Sequence, residues 1–250
     1  MLTKNELKYY SSLLNKKFRR SGSKFPVEGI KLIDEASESG FNCEVVISSK
    51  SFCDDNARFF KRISKKTRVE IVSENDLTRI SDTRNPQGVV GIFSFKKNEK
   101  KEIDDSFVIA LENISDPGNL GTIIRNSDWF GFRQVILSPD CAEIFNPKVI
   151  RASAGSVFHL SINEEPGFYG KIENLKRNGW SIYCADLEGE PVYSVKKEER
   201  AVIVFANEAS GPTARLHALA DFLITIPGKG KAESLNVASA SAVILSEFSK

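Results

Sequence analysis

Short apolar runs that alternate with helical patterns over residues 106–250 restrict the possible folds of this chain more than any other feature. The runs are rich in Val, Ile and Phe, which is typical of strands buried on both faces. They lie at 107–111, 135–137, 181–185, 202–205 and 222–226. This alternation predicts an α/β fold with a mostly parallel sheet covered by helices. Ligands of such sheets bind beyond the carboxyl ends of the strands, so the loops beginning at Asn113, Asn207 and Pro227 are expected to meet there.

The last of these runs leads through a loop with Pro227, Gly228 and Gly230 into a helix of small residues. We predict that this helix begins at Ser234, because its hydroxyl is a suitable N-cap. Consecutive Ala and Ser residues at 238–242 would let another backbone or a ligand approach closely. The pattern fits either a seat for an adenosine-type cofactor or an ordinary strand-to-helix turn, since glycine loops alone are weak signals.

Another helix is predicted to begin at Asp116, which is a favourable N-cap ahead of a proline, and to end at Gly131. Its predicted buried face consists of Leu120, Ile123, Ile124 and Ser127.

Arg125 lies four residues after Gly121, so the two share a face of this predicted helix. The glycine leaves that face bare, and a ligand could lie there against the guanidinium. A surface arginine that pairs with Asp128 or Glu112 is the simpler interpretation.

Further helices are predicted from residue 147 to residue 160 and over 172–178. The first of them contains Arg151 among small residues and ends near His159. We interpret His159 as a core or edge residue rather than a catalyst.

Residues 1–98 are predicted to form a separate, small α/β domain, with a polar linker at 99–105 before a second domain at 106–250. Helices are expected at 6–14 and 27–36, and strands at 43–49, 69–73 and 89–95. Lys and Arg outnumber Asp and Glu by 19 to 12 in 1–98, whereas the ratio is 16 to 21 in 99–250. This asymmetry suggests that the first part meets a polyanion, and a basic solvated surface is the alternative.

Basic and aromatic residues are interleaved near the start of the chain, around Phe18 and Phe25. Such a pattern is typical of phosphate contacts combined with base stacking. The candidate nucleic-acid contacts are Lys16, Lys17, Arg19, Arg20 and Lys24, together with Arg151 of the second part. A second basic cluster lies at 61–68, and a solvated loop is the alternative for the first.

Several classes of protein are disfavoured by composition. The four cysteines form no C-x-x-C pair, which indicates free thiols in a reducing cytoplasm and argues against a zinc site. No apolar run reaches the roughly 20 residues of a membrane helix. A nicotinamide dehydrogenase is disfavoured because no G-x-G-x-x-G follows the first strand of either part.

Three motifs occur in the expected order within the loops named above. Asn113-x-x-Asp116-Pro117-x-Asn119-x-Gly121-x-Ile123-x-Arg125 is similar to the first motif of the SpoU (TrmH) family of RNA methyltransferases. The segment Asn207-Glu208-x-x-Gly211 resembles the second motif. Two short segments, Ile226-Pro227 and Ser234-Leu235-Asn236-Val237, together resemble the third motif. Residues 151–155 are also similar to the corresponding segment of that family.

The resemblance covers residues 106–248 and implies a SPOUT-type fold, in which the C-terminal segment forms a trefoil knot. It further implies S-adenosylmethionine as cofactor, a homodimer with a shared active site, no metal, and RNA as substrate. The implied reaction is methylation of a ribose 2′-hydroxyl in structured RNA. Residues 1–98 more weakly resemble the accessory RNA-binding domain of the family, which favours ribosomal RNA. The alternatives are a transfer RNA 2′-O-methyltransferase and a non-catalytic RNA-binding protein that kept the fold.

The resemblance also implies roles for single residues. The implied catalytic residues are Arg125, Asn119, Glu208, Ser234 and Asn236, and the implied cofactor-binding residues are Ala206, Asn207, Gly211, Ile226, Gly230 and Leu235. Arg125 would lie at the reacting hydroxyl, either as the base or as a ligand of the adjacent phosphate and the developing oxyanion. This chain has Ala206 where the second motif normally begins with glycine. It also has Gly228 where a larger apolar residue is common and Ala238 where serine is usual.

Overall fold

The structure, a computed structural model, describes residues 2–96, 106–207 and 209–250. The predicted linker at 99–105 and Glu208 lie outside these residues. Contacts divide the chain into two compact units, one built from the residues before 100 together with Phe145–Arg151, the other from the remainder. No helix in the described ranges is long and apolar enough to cross a membrane.

The first unit contains a mixed four-stranded sheet with short helices around it. Its elements in chain order are α1 (Lys4–Ser12), α2 (Lys16–Gly22), β1 (Lys24–Glu28), α3 (Ile30–Glu38), β2 (Cys43–Ser49), α4 (Lys50–Asp55), α5 (Ala57–Ile63), β3 (Arg68–Val72), α6 (Glu74–Ile80) and β4 (Val89–Ser94). The strand order is β1-β4-β2-β3. Strand β4 is antiparallel to both of its neighbours, whereas β2 and β3 are parallel.

Phe25 lies inside the first unit and not on its surface as the base-stacking prediction requires. Its side chain is fully buried. The ring stacks on Phe145 at a centroid distance of 4.3 Å and also contacts Phe41, Phe93 and Phe95. The prediction for Phe25 is wrong because strand β1 turns this side chain into an aromatic core.

The second unit contains a sheet in which neighbouring strands are parallel throughout. The elements of residues 106–250 in chain order are β5 (Phe107–Glu112), α7 (Pro117–Trp129), β6 (Gln134–Leu137), α8 (Pro147–Ala152), a 3₁₀ turn (Ser156–Phe158), β7 (Ser161–Glu164), α9 (Phe168–Arg177), β8 (Ser181–Pro191), β9 (Ala201–Ala206), α10 (Ala214–Leu219), β10 (Phe222–Thr225) and α11 (Val237–Phe248). Of these, α8 up to Arg151 belongs to the first unit. The strand order is β10-β8-β9-β5-β6-β7. All five pairings are parallel, so the predicted α/β fold with a mostly parallel sheet is confirmed.

Helices cover both faces of this sheet. Val108 and Ala110 of β5 pack with Phe168 and Ile172 of α9 on one face. Residues between them in the strand, such as Ile109, point to the other face and are also fully buried.

Two predicted helix boundaries of the second unit are confirmed, and two helix predictions are wrong. Asp116 caps α7 by accepting a hydrogen bond from the Asn119 N–H, and Gly131, with φ of 84°, follows the end of that helix. The helix predicted from residue 147 breaks because Ala154 and Gly155 both have positive φ. Helix α11 begins after Asn236 rather than at Ser234, and the Asn236 side chain accepts from Ala238 N.

Candidate active site

The loops after β5 and β9 meet at the carboxyl edge of the second sheet. Glu112 and Ala206 are paired across these neighbouring parallel strands, so Asn113 and Asn207 leave the sheet side by side. The Asn207 side-chain amide donates a hydrogen bond to Asn113 O at 3.1 Å. The first and second motifs, 94 residues apart in sequence, are therefore directly bonded to each other.

Asn207 also shapes its own loop. Its side-chain oxygen accepts hydrogen bonds from Ala209 N at 2.9 Å and Ser210 N at 3.2 Å. Gly211 N donates to Asn207 O, and Gly211 has φ of 64°, a conformation that glycine adopts without strain. The Asn207 side chain thus has a structural task in this loop, and the cofactor contact that the resemblance implies for it stays a prediction.

Glu112 is a buried carboxylate at this edge, with only 1% of its surface exposed. It accepts hydrogen bonds from Tyr169 Oη at 2.7 Å, from Thr213 Oγ1 at 2.7 Å and from Thr213 N at 3.0 Å. A buried carboxylate requires such donors because desolvation strongly disfavours its charge. Sequence reasoning missed this role, since Tyr169 and Thr213 are distant in sequence and belong to none of the three motifs.

Neither carboxylate suggested as a partner for Arg125 is paired with it. Glu112 is bonded to Tyr169 and Thr213, and the Asp128 carboxylate lies 2.9 Å from His159 Nδ1. Arg125 itself is exposed on α7. Within the described ranges, no ion pair to its guanidinium is present.

The first and third motifs meet through two asparagines. Asn236 donates from its side-chain amide to Asn119 Oδ1 at 3.1 Å, although 117 residues separate them in sequence. The other end of the Asn236 amide accepts from Ala238 N at 3.0 Å. One side chain thereby caps α11 and ties it to the first turn of α7.

The segment between β10 and α11 is open to solvent. Residues 227–236 are all exposed, and Leu235 keeps half of its surface exposed. A Cβ added at Gly228 or Gly230 would meet no atom within 4 Å. As far as the described residues extend, peptide groups at 228–235 have no backbone hydrogen-bond partner. Peptide groups that can form hydrogen bonds, beside an exposed leucine, fit a cofactor with an adenosine and an amino-acid part. Ser234 lies in this segment and is not the N-cap of α11.

Three of the four cysteines are unsuited to nucleophilic catalysis. Burial raises the pKa of Cys43 and of Cys184 to about 12, and it also raises the pKa of Cys141. These thiols therefore stay protonated near neutral pH, and a thiolate is the reactive form.

The basic residues of α2 and β1 differ in how far their side chains are exposed. Lys16, Lys17 and Arg20 are exposed, and Phe18 between them keeps 44% of its surface exposed. Lys24 is half-buried and pairs with Glu44.

Arg19 is buried, so its predicted surface contact with RNA is wrong. Only 2% of its surface is exposed, and its guanidinium donates to Leu13 O and Leu14 O at 2.8 Å. Arg151 is paired with Asp82 at 2.8 Å. On α2, the exposed basic side chains are therefore those of Lys16, Lys17 and Arg20.

Comparisons with known proteins cover both units. A model described as the SpoU rRNA Methylase family matches residues 106–246, and the MRM3-like substrate binding domain matches 4–91. The chain is 30% identical over 244 residues to the 23S rRNA (guanosine(2553)-2'-O)-methyltransferase RlmP of Bacillus subtilis (strain 168). The aligned residues cover 96% of this chain and 94% of the relative.

Solved structures superpose over nearly the whole chain. A putative RNA methyltransferase of the TrmH family from Porphyromonas gingivalis has a TM-score of 0.87 at 30% identity, with 99% and 98% of the two chains covered. The AdoMet-bound rRNA methyltransferase from Sinorhizobium meliloti has a TM-score of 0.85 at 29% identity, with 99% and 95% covered.

The buried carboxylate at the sheet edge gives a prediction about stability. Thr213→Val removes the hydroxyl that donates to Glu112 and that also caps α10 at Leu216 N. We expect the free energy of unfolding to fall by about 2–4 kcal/mol, the sum of a charged hydrogen bond and an N-cap. Urea denaturation measures the loss. Thr122→Val removes a bond to a neutral carbonyl within α7 and should cost about 1 kcal/mol. Thr213→Ser should restore stability, and equal losses in the two valine variants would contradict the assignment.

Proposed function

The chain belongs to the SpoU rRNA methylase family, and from this membership we propose that it methylates a ribose 2′-hydroxyl in structured RNA, with S-adenosylmethionine as methyl donor. Ribosomal RNA is the favoured substrate because similarity to the Bacillus subtilis ribosomal RNA enzyme extends over nearly both chains. The structural observation that carries the proposal is the set of side-chain bonds between the motif loops at one sheet edge.

Orientation and charge stabilisation are the tasks that we propose for the residues of this site. S-adenosylmethionine, when bound, supplies a methyl group that its sulfonium already activates. The remaining difficulty is the weakly acidic ribose hydroxyl. A guanidinium keeps its charge in proteins, so we assign Arg125 to the adjacent phosphate and to the developing oxyanion. Asn119 and Asn236, bonded to each other, would hold the ribose near it. Glu208 and Ser234 are proposed to orient these groups.

The cofactor is proposed to lie along the ends of β9 and β10. Ala206 is the last residue of β9 and Ile226 directly follows β10. Gly211, Gly230 and Leu235 lie further along in the loops. Their backbone groups would bind the polar atoms of the cofactor, and the Leu235 side chain would cover the adenine. We propose that the C-terminal segment also forms the trefoil knot typical of the family, which the small residues of α11 would permit.

RNA binding is proposed for the domain at 1–98, joined at 99–105 to the methyltransferase domain at 106–250. The exposed Lys16, Lys17 and Arg20 supply positive charge for phosphates, and the exposed Phe18 offers a ring for a base. We propose a cytoplasmic reaction, in keeping with four free thiols and a ribosomal RNA substrate.

Incubation with labelled S-adenosylmethionine and total cellular RNA, followed by alkaline digestion, tests the reaction. Alkaline cleavage uses the 2′-hydroxyl as nucleophile, so a 2′-O-methylated linkage survives. We expect the label in alkali-resistant dinucleotides, and fractionated RNA then separates ribosomal from transfer RNA substrates. Label in single nucleotides would indicate base methylation and overturn the proposed reaction. Cofactor binding without any transfer to RNA or to ribosomal particles would support the non-catalytic alternative.

Arg125→Ala should strongly slow methyl transfer while cofactor binding persists. Loss of one charge-stabilising group typically lowers kcat by about 10²–10³-fold, and we expect this range here. Calorimetry with S-adenosylmethionine and single-turnover transfer measure the two properties. Arg133→Ala, which removes another exposed arginine just after α7, is the matched control and should retain activity. Near-normal turnover in Arg125→Ala would remove the role assigned to this residue.

A homodimer is proposed from the family resemblance, and Trp129 supports it. This side chain is 81% exposed and lies one helical turn after Arg125. Tryptophan is enriched among the residues that dominate interface energies. A second copy that covers Trp129 would bring its own residues close to Arg125, as a shared active site requires.

Trp129→Glu should therefore weaken self-association at least about 30-fold, the effect of losing one dominant interface residue. Sedimentation velocity over a concentration series measures the dissociation constant. Tyr193→Glu changes another exposed aromatic residue, 57% exposed, and serves as the control. A Trp129→Glu variant that dimerises like the wild type would place the interface elsewhere, and a monomeric wild type would remove the homodimer proposal.

A further inference from the structure

Asn126 joins the two helices that contain the proposed catalytic residues. Its half-buried side chain extends from α7, and its amide nitrogen donates to Ala238 O and to Ser241 Oγ, both at 2.9 Å. A primary amide has two N–H donors, and both are used here. Asn126 belongs to none of the motif positions identified in the sequence.

Ala238 is the second residue of α11, in the turn that follows the exposed segment 227–236. Its N–H donates to Asn236 Oδ1, and its carbonyl accepts from Asn126 and from Ser241 Oγ, the latter at 2.8 Å. Ala238 and Ser241 are both buried. Side chains therefore bind both the backbone N–H and the backbone carbonyl of Ala238 in the first turn of α11.

We infer that Asn126 is a positioning residue, which sets where α11 begins relative to α7 and thereby holds Leu235 and Asn236 in place. Arg125 precedes Asn126 directly in the chain. The same turn of α7 therefore contains the side chain proposed to bind the phosphate and the side chain that holds the end of the exposed segment 227–236. This inference rests on the proposed function. Its structural part, the anchoring of the loop end, stands on the hydrogen bonds alone.

Anchoring has a direct consequence for the exposed segment 227–236. One end of the segment follows β10, where Thr225 O accepts from Val192 N at 2.9 Å. The other end depends on the bonds to Asn119 and Asn126. Without Asn126, the first turn of α11 should fray and the loop should sample more conformations. Cofactor binding would then require more ordering and become weaker.

Limited proteolysis measures this anchoring without any catalytic readout. Lys229 and Lys231 are exposed in the loop and are trypsin sites. In Asn126→Ala we expect cleavage there, identified by mass spectrometry, to accelerate on the order of 10-fold. This is the change expected when one to two net hydrogen bonds are lost. The dissociation constant and KM for S-adenosylmethionine should rise by a similar factor, with a smaller change in kcat.

Ser127→Ala is the matched control. Ser127 is the next residue of α7, fully buried, and its hydroxyl donates only to Ile123 O of the same helix at 2.9 Å. This variant should lower the melting temperature to a similar extent but leave the cleavage rate and the KM for the cofactor unchanged. Asn126→Asp keeps the shape and places an oxygen against Ala238 O, so it should behave like Asn126→Ala or worse.

The outcomes separate the two claims. Cleavage and cofactor affinity in Asn126→Ala that match Ser127→Ala would overturn the inference. If Asn126→Ala does not fold, Ser241→Ala removes the hydroxyl that accepts from Asn126 and donates to Ala238 O, and it leaves the Asn126–Ala238 bond in place. This variant should give an intermediate acceleration, and a wild-type rate there would overturn the inference as well. A wild-type protein that neither binds S-adenosylmethionine nor methylates RNA would refute the proposed function. Faster loop cleavage in Asn126→Ala would still support the anchoring role in that case.

Discussion

Neighbouring strands of the second sheet all run in the same direction, and the geometry of the site depends on this constraint. Parallel strands require long crossover connections, so every strand ends at the same edge and every returning helix begins there. Segments far apart in sequence are thereby placed together: Asn113 beside Asn207, and Asn119 beside Asn236. The arrangement of these amides is a property of the sheet topology, and a local change in one loop cannot create it. For the same reason, the Glu112 carboxylate at the end of β5 receives its donors from Tyr169 and Thr213 of much later segments.

The polar groups at this edge fall into two kinds with different energetic consequences. Glu112, Asn113 and Asn207 are bonded to protein partners, so their positions are fixed before any ligand binds. Residues 228–235 are exposed, and within the described part of the chain their peptide groups have no backbone partner, so a ligand can bind there at little cost in protein–protein bonds. A reaction whose methyl donor is already activated gains most from orientation, which a fixed frame provides. Under the proposed function, the adjacent exposed loop would let the cofactor enter and leave.

Much of this fold could be predicted from local sequence, and the failures have a common physical cause. The cap at Asp116 and the end of α7 at Gly131 follow from short-range chemistry, and both predictions are confirmed. Ser234 and Asn236 are both good N-caps, and local sequence cannot choose between them. In the structure, a partner 117 residues away, Asn119, bonds to Asn236. Arg19 looks like its basic neighbours in sequence, and it is buried because the turn between α1 and α2 presents two carbonyl groups to it. Glu208 lies outside the described residues, so its role stays a prediction.

The position of the N-cap also affects how much chain must be ordered by a ligand. Ordering a residue costs about 1–2 kcal/mol of backbone entropy, so a loop between two firm ends binds more tightly than a frayed one. A cap at Ser234 would have drawn Leu235 and Asn236 into the helix, where the peptide N–H groups of its first turn face along the axis. With the cap at Asn236, Leu235 stays in the loop with an exposed side chain, and Asn236 can bond to both helices. The two-residue displacement thus leaves an exposed apolar side chain in the loop and keeps the far end of the loop fixed.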